Sequence, residues 1–192
     1  QFSGDTATVQ RTLPTARAIL DAFVNRIDGK GRMPVFKQPC YWNFYEWSEG
    51  LDGMPLSRTY DMPLRYDLPL AAFTCIAVDA YEEICVGLNA AFDEKYERAK
   101  QSVKKGIYLF YSGGKYASFA DESGKLSGYS EYTLSMLLYA DLVPKAQKEQ
   151  LTDALFAKDN GLTECTVSAL LYKYEAALRY DEQKYKPIVL QD

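Results

Sequence analysis

The sequence predicts an all-α fold, part of an α/α toroid of helical hairpins with one long aromatic loop and one short extended segment. Helices that are apolar on all sides alternate along the chain with helices that are apolar on one stripe only. The connections between most of these helices are short, which favours antiparallel hairpins. We therefore expect an inner layer of buried helices and an outer layer behind it. A plain bundle or a solenoid is the alternative, although no self-similar repeat of about 30 to 50 residues is present.

The first helix is predicted between Val9 and Ile27, where apolar residues follow one another at alternating steps of four and three. Asp5 or Thr6 can cap its start. Pro14 lies inside the pattern, so the helix either kinks there or begins its regular part there.

The other helices follow from capping residues and apolar patterns. A helix capped by Asp67 and running to about Leu88 is apolar all round in its first half, so we expect burial on every side. Four further helices and one extended segment are predicted. A surface helix is expected at 93–110, an extended segment with a turn at 115–120, and an apolar helix that begins at Ser127 or Ser130 and ends near Leu142. A polar helix follows at 145–156, and Thr163 caps a last long helix with Val167, Leu170, Leu171, Tyr174 and Leu178 inside. From Asp181 onward the pattern is mixed.

Residues 29–66 have no helical period and contain an aromatic stretch, residues 41–49, with both tryptophans of the chain and two glutamates. Such a stretch can plug the end of a core. It can also form a sugar site, where rings stack on the apolar faces of a pyranose and carboxylates bind hydroxyls or transfer protons. Connections of this length without secondary structure are uncommon in compact domains and are usually functional, which favours the sugar site.

Composition excludes several classes of function. The chain of 192 residues contains no histidine, which excludes His-dependent triads and argues against a transition-metal site. No cofactor is expected. A net charge of −4 argues against nucleic acid or an acidic membrane surface as a partner. Cys75 and Cys85 lie on one predicted helix, about 15 Å apart, so we expect them and the other cysteines, Cys40 and Cys165, to be reduced thiols.

Several motifs occur in the order found in one enzyme family. They are Ser3-Gly4-Asp5-Thr6 followed by Val9-Gln10-Arg11 and Leu13-Pro14, then Trp42-Asn43-Phe44-Tyr45-Glu46-Trp47, then Ser130-Glu131-Tyr132-Thr133, and finally Leu142-Val143-Pro144. This ordered set resembles α-L-rhamnosidase-type glycoside hydrolases. The resemblance implies an (α/α)6 catalytic domain of about twelve helices. Because only about six are predicted here, residues 1–192 would be the C-terminal part of a six-hairpin glycosidase domain, a fragment of a longer chain.

The resemblance also implies a substrate and a set of sugar-binding residues. Family members are inverting enzymes for terminal α-L-rhamnosyl or similar deoxyhexosyl residues. The implied substrate-binding residues are Trp42, Tyr45, Glu46, Trp47, Tyr129 and Glu131. Loops that lead into inner helices share one face of a ring of hairpins, so Glu46 and Glu131 could converge there. The general acid and general base of the family fall outside the matching motifs, so the catalytic residues stay unknown and the isolated chain is expected to be inactive. Tyr132 replaces a frequent histidine, and Glu46 replaces a common aspartate.

Other interpretations stay open. Glu46 could be a rim carboxylate bonded to loop amides, Glu131 a first-turn acid favoured by the helix dipole, and the tryptophans packing residues. The whole chain could be a non-catalytic carbohydrate-binding or helical scaffold protein. A protein-interaction domain is a third interpretation, because half a ring would leave apolar faces through which copies could self-associate. The compartment is undetermined, and a periplasmic or secreted protein is compatible with a removed signal peptide.

Overall fold

The structure is a computed structural model that describes residues 4–37, 41–53 and 63–191. The described part is mostly helical. Its helices are α1 (Thr6–Val24), α2 (Leu68–Gly87), α3 (Glu94–Gly106), α4 (Glu131–Tyr139), α5 (Lys145–Leu155) and α6 (Leu170–Val189), with 3-10 turns at Ile107–Phe110 and Val167–Ala169. Its strands are β1 (Arg65–Asp67), β2 (Tyr111–Ser112), β3 (Lys115–Tyr116), β4 (Phe119–Asp121) and β5 (Leu126–Ser127).

The strands form two small antiparallel sheets. In the larger one, β4 lies between β1 and β5, with Ala120 opposite both Tyr66 and Leu126. The smaller one is the β2–β3 hairpin. The extended segment expected at 115–120 is confirmed, while its pairing with β1 adds sheet structure that an all-α description leaves out.

The helices pack in two rows. Helix α4 packs between α2 and α6, so these three form an inner row, while α1 and α3 pack on α2 and α5 packs on α4 and α6. All residues from Glu131 to Leu138 are buried, which confirms the apolar helix predicted there. Helix α3 buries the stripe of Tyr96 and Val103 and is otherwise largely polar, as the sequence predicted for a surface helix.

Helices α1 and α2 bury less of their apolar surface than the pattern suggested. The Asp5 carboxylate caps α1 by accepting a hydrogen bond from the Thr8 amide at 3.0 Å, as predicted. The expected burial of the first half of α2 on every side is wrong, because Phe73 is exposed. Val86, in the second half, is exposed as well. Phe73 instead lines an apolar groove of about 330 Å³ between α1 and α2. Ile19 of α1 lines the same groove and is also exposed.

The start of the last helix differs from the prediction. Thr163 does not cap it but forms a parallel bridge with Ser130, and the helix begins after the 3-10 turn. Val167 is 85% exposed and Leu171 is also exposed, so their predicted burial is wrong. The buried face carries Lys173 instead, because that side chain has a partner inside the protein. Although the sequence pattern is mixed from Asp181 onward, the helix continues through a kink at that residue and ends at Val189.

The thiols of Cys75, Cys85 and Cys165 are free, while Cys40 lies outside the described residues, as does Ser3. Burial raises the pKa of Cys75 to about 12. In the described ranges, no group of three or more acidic or sulfur ligands is placed to hold a metal ion. Neither does any helix there combine the length and apolar character needed to cross a membrane.

Candidate functional site

The aromatic loop lies against the N-terminal ends of the inner helices. The Leu68 amide, at the start of α2, donates to the Ser118 carbonyl, and the Ser118 hydroxyl is 2.7 Å from that of Thr133 in the first turn of α4. The loop joins this end through hydrogen bonds of Tyr45 and Glu46. We call residues 41–53 together with the N-terminal turns of α2, α4 and α6 the loop end.

An open aromatic cluster covers part of the loop end. The ring of Phe44 lies 5.1 Å from that of Trp42 and 4.7 Å from that of Trp47. Trp42 is 50% exposed and Trp47 is 66% exposed. The indole N–H of Trp42 donates to the carbonyls of Asp52 and Gly53, both at 2.9 Å. Both rings are therefore held in place while much of their surface stays open to solvent, which is unlike core packing.

Glu46 lies in the same loop but is only 1% exposed. Its Oε1 accepts hydrogen bonds from the Thr166 amide at 3.0 Å, from the Thr166 hydroxyl, and from the Ser168 hydroxyl at 3.3 Å. Its Oε2 is buried and has no hydrogen-bond partner among the described residues. A buried carboxylate oxygen without a partner carries a desolvation cost, and a donor from a bound molecule would remove that cost.

Tyr45 is held by a buried carboxylate. Its hydroxyl donates to Asp67 Oδ2 at 2.7 Å, and Arg65 forms a two-point ion pair with Asp67 at 2.7 and 2.8 Å. Burial, followed by the negative charge of Asp67, holds the pKa of Tyr45 well above its usual range. The same contacts explain why Asp67 stands at the N-cap position of α2 without capping it, contrary to the prediction. Its oxygens are engaged by Tyr45 and Arg65 instead.

Glu131 is also buried, in the first turn of α4. Its Oε2 accepts from the Lys173 ammonium and from the Cys165 amide, both at 3.3 Å, and its Oε1 accepts from the Asn160 side chain at 3.2 Å. Both oxygens of Glu131 therefore have partners within the protein. This geometry fits a carboxylate that joins α4, α6 and the segment between α5 and α6.

The two glutamates meet at one segment. Glu131 accepts from the amide of Cys165, and Glu46 accepts from the next amide, that of Thr166. Burial, followed by the charge of Glu131, raises the pKa of the Cys165 thiol to about 12. The convergence that the sequence suggested for Glu46 and Glu131 is thus present in the structure.

The remaining predicted residue, Tyr129, is half-buried, and its carbonyl accepts from the Thr163 amide at 2.7 Å. Its hydroxyl makes no hydrogen bond to the described residues, so the structure does not join it to the cluster. Tyr132 is buried beside it in sequence. Burial, then the nearby Tyr172 and Glu46, raise the pKa of Tyr132.

Sequence reasoning missed the residues that hold the two glutamates and Tyr45, namely Arg65, Asp67, Asn160, Thr166, Ser168 and Lys173. The spacing of Arg65 and Asp67 could have shown that they share one face of a strand. Thr166 lies 120 residues from Glu46, and no local pattern connects them.

The described helices pack mainly against one another, and this arrangement has a counterpart among solved structures. No family model matches the chain, and no curated protein matches it. Among solved structures, a GH78 family rhamnosidase of Bacillus sp. GL1 is similar, with a TM-score of 0.73 and 14% sequence identity. The match covers 94% of this chain and spans 18% of the length of that protein. At this identity the likeness establishes a shared fold and a distant structural relationship.

Proposed function

We propose that this chain is part of a glycoside hydrolase that acts on terminal α-L-rhamnosyl, or similar deoxyhexosyl, residues of glycans or glycosides. Hydrolysis would proceed with inversion in the full-length protein. The class is supported by the fold likeness to a rhamnosidase and by the ordered motifs of the sequence. In this proposal the loop end is one wall of a sugar subsite, and the general acid and base are supplied elsewhere in the full-length protein.

The observation that carries the proposal is the pairing of an unsatisfied carboxylate oxygen with open indole rings. Glu46 Oε2 is a buried acceptor without a partner in the described part of the chain, and Trp47 is the next residue. A deoxyhexose offers an apolar face with a methyl group and a set of hydroxyl donors. Such a sugar could stack on Trp42 or Trp47 while one hydroxyl donates to Glu46, provided that the loop moves enough to open Oε2, which is closed off from solvent in the structure.

The other residues then have supporting roles. Tyr45 would fix the loop on Asp67, and Glu131 would fix the segment that carries Thr166. Tyr129 would lie at the rim of the subsite. These roles follow from the contacts of each side chain, since Tyr45 and both oxygens of Glu131 are already bonded within the protein.

A non-catalytic carbohydrate-binding or helical scaffold protein is the second candidate. Inversion requires two carboxyl groups roughly 6.5–9.5 Å apart with a water between them. At the loop end, Asp67 and Glu131 are held by Arg65 and Lys173, which leaves Glu46 as the buried carboxylate with a spare oxygen in the described residues, while Glu49 and Asp52 of the same loop are exposed. One buried carboxylate of this kind is enough for binding, whereas inversion needs a pair at the stated separation.

Tryptophan fluorescence tests the sugar subsite. L-rhamnose at millimolar concentration is expected to change the emission of the wild-type chain saturably, with glycerol as the control for solvent effects. Trp47→Ala should remove most of this change and leave the fold intact, because Trp47 is mainly exposed. Unchanged emission of the wild-type chain would count against Trp42 and Trp47 as sugar contacts.

An aryl α-L-rhamnoside tests where the catalytic groups are. The purified chain is expected to bind this substrate without turnover. Turnover would show that the chain itself contains both the acid and the base. Sequencing the gene upstream and downstream of the segment that encodes this chain separates the hydrolase from the non-catalytic protein. A hydrolase requires further coding sequence for the missing catalytic groups.

A further inference from the structure

A second cleft, of about 590 Å³, lies at the C-terminal end of α4, on the side away from the loop end. Helix α4 has nine residues, which places the two ends about 13 Å apart. The cleft has a buried apolar floor of Leu138, Val143 and Ala176, and Tyr139 and Tyr180 stand at its sides. Its volume falls in the range of small-molecule sites, about 300–1,000 Å³.

The lining of this cleft is strongly positive. Lys104, Lys145, Lys148 and Arg179 line it together with a single carboxylate, that of Asp141. Because Glu175 also pairs with Arg179, the local excess is two positive charges, in a chain whose net charge is −4. We call this site the basic cleft.

Asp141 neutralises only part of that charge. It pairs with the ammonium of Lys148, and its carbonyl accepts from Lys104 at 3.0 Å. Lys145 has neither a hydrogen bond nor an ion pair within the described ranges, and its side chain is exposed. The guanidinium of Arg179 lies 4.0 Å above the ring of Tyr139, with its Nη2 donating to that hydroxyl at 2.9 Å and its Nε donating to Glu175 Oε2 at 3.3 Å.

The start of α5 adds to the positive field. Its N-cap residue is Pro144, which has no side chain that could accept from the first amides, and its first turn contains no acidic residue. Lys145 and Lys148 stand near this positive end of the helix, where carboxylates are normally favoured. A bound anion would relieve the repulsion between the helix terminus and these lysines.

We propose that the basic cleft binds a small anionic ligand of about monosaccharide size. Its phosphate, sulfate or carboxylate group contacts Lys145, Lys148 and Arg179, and its body lies against the exposed tyrosine surface. This inference does not depend on the proposed glycosidase activity, because it uses residues at the other end of α4.

Nuclear magnetic resonance titrations at constant ionic strength test the proposal. The probes are inorganic phosphate, sodium sulfate and sodium glucuronate, with glucose as the neutral control. At least one anion is expected to shift the amides of Lys145 to Lys148 and of Arg179 saturably, while glucose does not. Comparing the three anions shows whether an inorganic oxyanion suffices or a sugar acid is preferred. Added sodium chloride should weaken the binding.

Two exposed lysines provide matched variants. Lys145→Ala is expected to weaken anion binding about tenfold, the size expected for one charge-assisted hydrogen bond. Lys158→Ala removes the same charge from an exposed position outside the cleft and should leave the affinity unchanged. The proposal is wrong if none of the three anions gives a saturable shift. It is equally wrong if both variants weaken binding to the same extent, since that result indicates general surface charge.

Discussion

Charged groups are held differently at the loop end and on the exposed faces of the helices. At the loop end, Asp67 and Glu131 are buried and bonded to cations that are themselves largely or partly buried. On the surface of the helices, pairs such as Lys186–Glu182 are mostly exposed. Removing one member of an ion pair should therefore lower stability by different amounts in the two places. At the surface, water screens the attraction, so the loss is small. In the interior, the remaining charge is left buried without a partner, so the loss is large.

Glu46 departs from both patterns. It is as buried as Asp67, yet no cation pairs with it in the described residues, and one of its oxygens lacks a partner. The comparison therefore separates carboxylates whose oxygens all have partners within the protein from Glu46, which has one oxygen without a partner in the described residues. Three variants test carboxylates that have partners within the protein, from the largest expected effect to the smallest.

The largest effect is expected for Lys173→Met. This change keeps most of the side-chain volume but leaves the Glu131 carboxylate buried without its cation. We expect a loss of about 3–5 kcal/mol in the free energy of unfolding, measured by denaturant titration. The matched control is Lys186→Met, which removes an exposed lysine from the Glu182 pair and should cost less than about 1 kcal/mol. Similar losses for the two variants would refute the distinction between the regions.

An intermediate effect is expected for Tyr45→Phe. The change removes the hydrogen bond to the buried Asp67 carboxylate, and such charge-assisted bonds contribute about 1.5–3 kcal/mol. Tyr116→Phe is the control, because the Tyr116 hydroxyl donates to the neutral Gln147 side chain and should contribute about 1 kcal/mol. Thermal unfolding of both variants measures the difference. A smaller loss for Tyr45→Phe than for Tyr116→Phe would contradict the role of Asp67.

The smallest effect concerns Asp21, which joins α1 to α3. Hydrogen bonds from Lys95 and then Tyr96 lower the pKa of this carboxyl. Because the folded-state pKa is below that of the unfolded chain, its contribution is present above about pH 4 and is lost as pH falls through the folded-state pKa.

Asp21→Asn should therefore lower stability near neutral pH by less than about 1 kcal/mol and reduce the further loss on acidification. Unfolding measured across the acid range checks this slope. The control is Glu122→Gln, an exposed turn residue. An unchanged acid slope in Asp21→Asn would exclude the group as a contributor.

The helical layers could be predicted because their signals are local. Asp5 and Ser130 cap helices as expected, and the apolar run of α4 is buried on every side. The strands of the larger sheet could not be predicted so easily, because β1 and β4 have three residues each and pair across more than fifty positions of the chain. Such short strands show too little alternation to be distinguished from loop.

The candidate site was predicted in part for the same reason. The aromatic loop is visible because its residues are consecutive, and the convergence of Glu46 and Glu131 followed from the expected hairpin arrangement. The partners of these glutamates lie 29 to 122 residues away. Lys173 was not expected in the interior, because a lysine on a helix normally indicates the solvent face. Only the fold brings Lys173 and Glu131 together.

The central claim is that Glu46 completes its hydrogen bonding with a bound sugar, and Glu46→Gln tests it most directly. Calorimetric titration with L-rhamnose should show an affinity about tenfold weaker than that of the wild-type chain, which corresponds to about 1.4 kcal/mol. The free energy of unfolding should fall by less than about 1 kcal/mol, because glutamine keeps an oxygen for Thr166 and removes a buried charge. Unchanged rhamnose affinity together with a large loss of stability would contradict the claim and make Glu46 a structural link between the loop and α6.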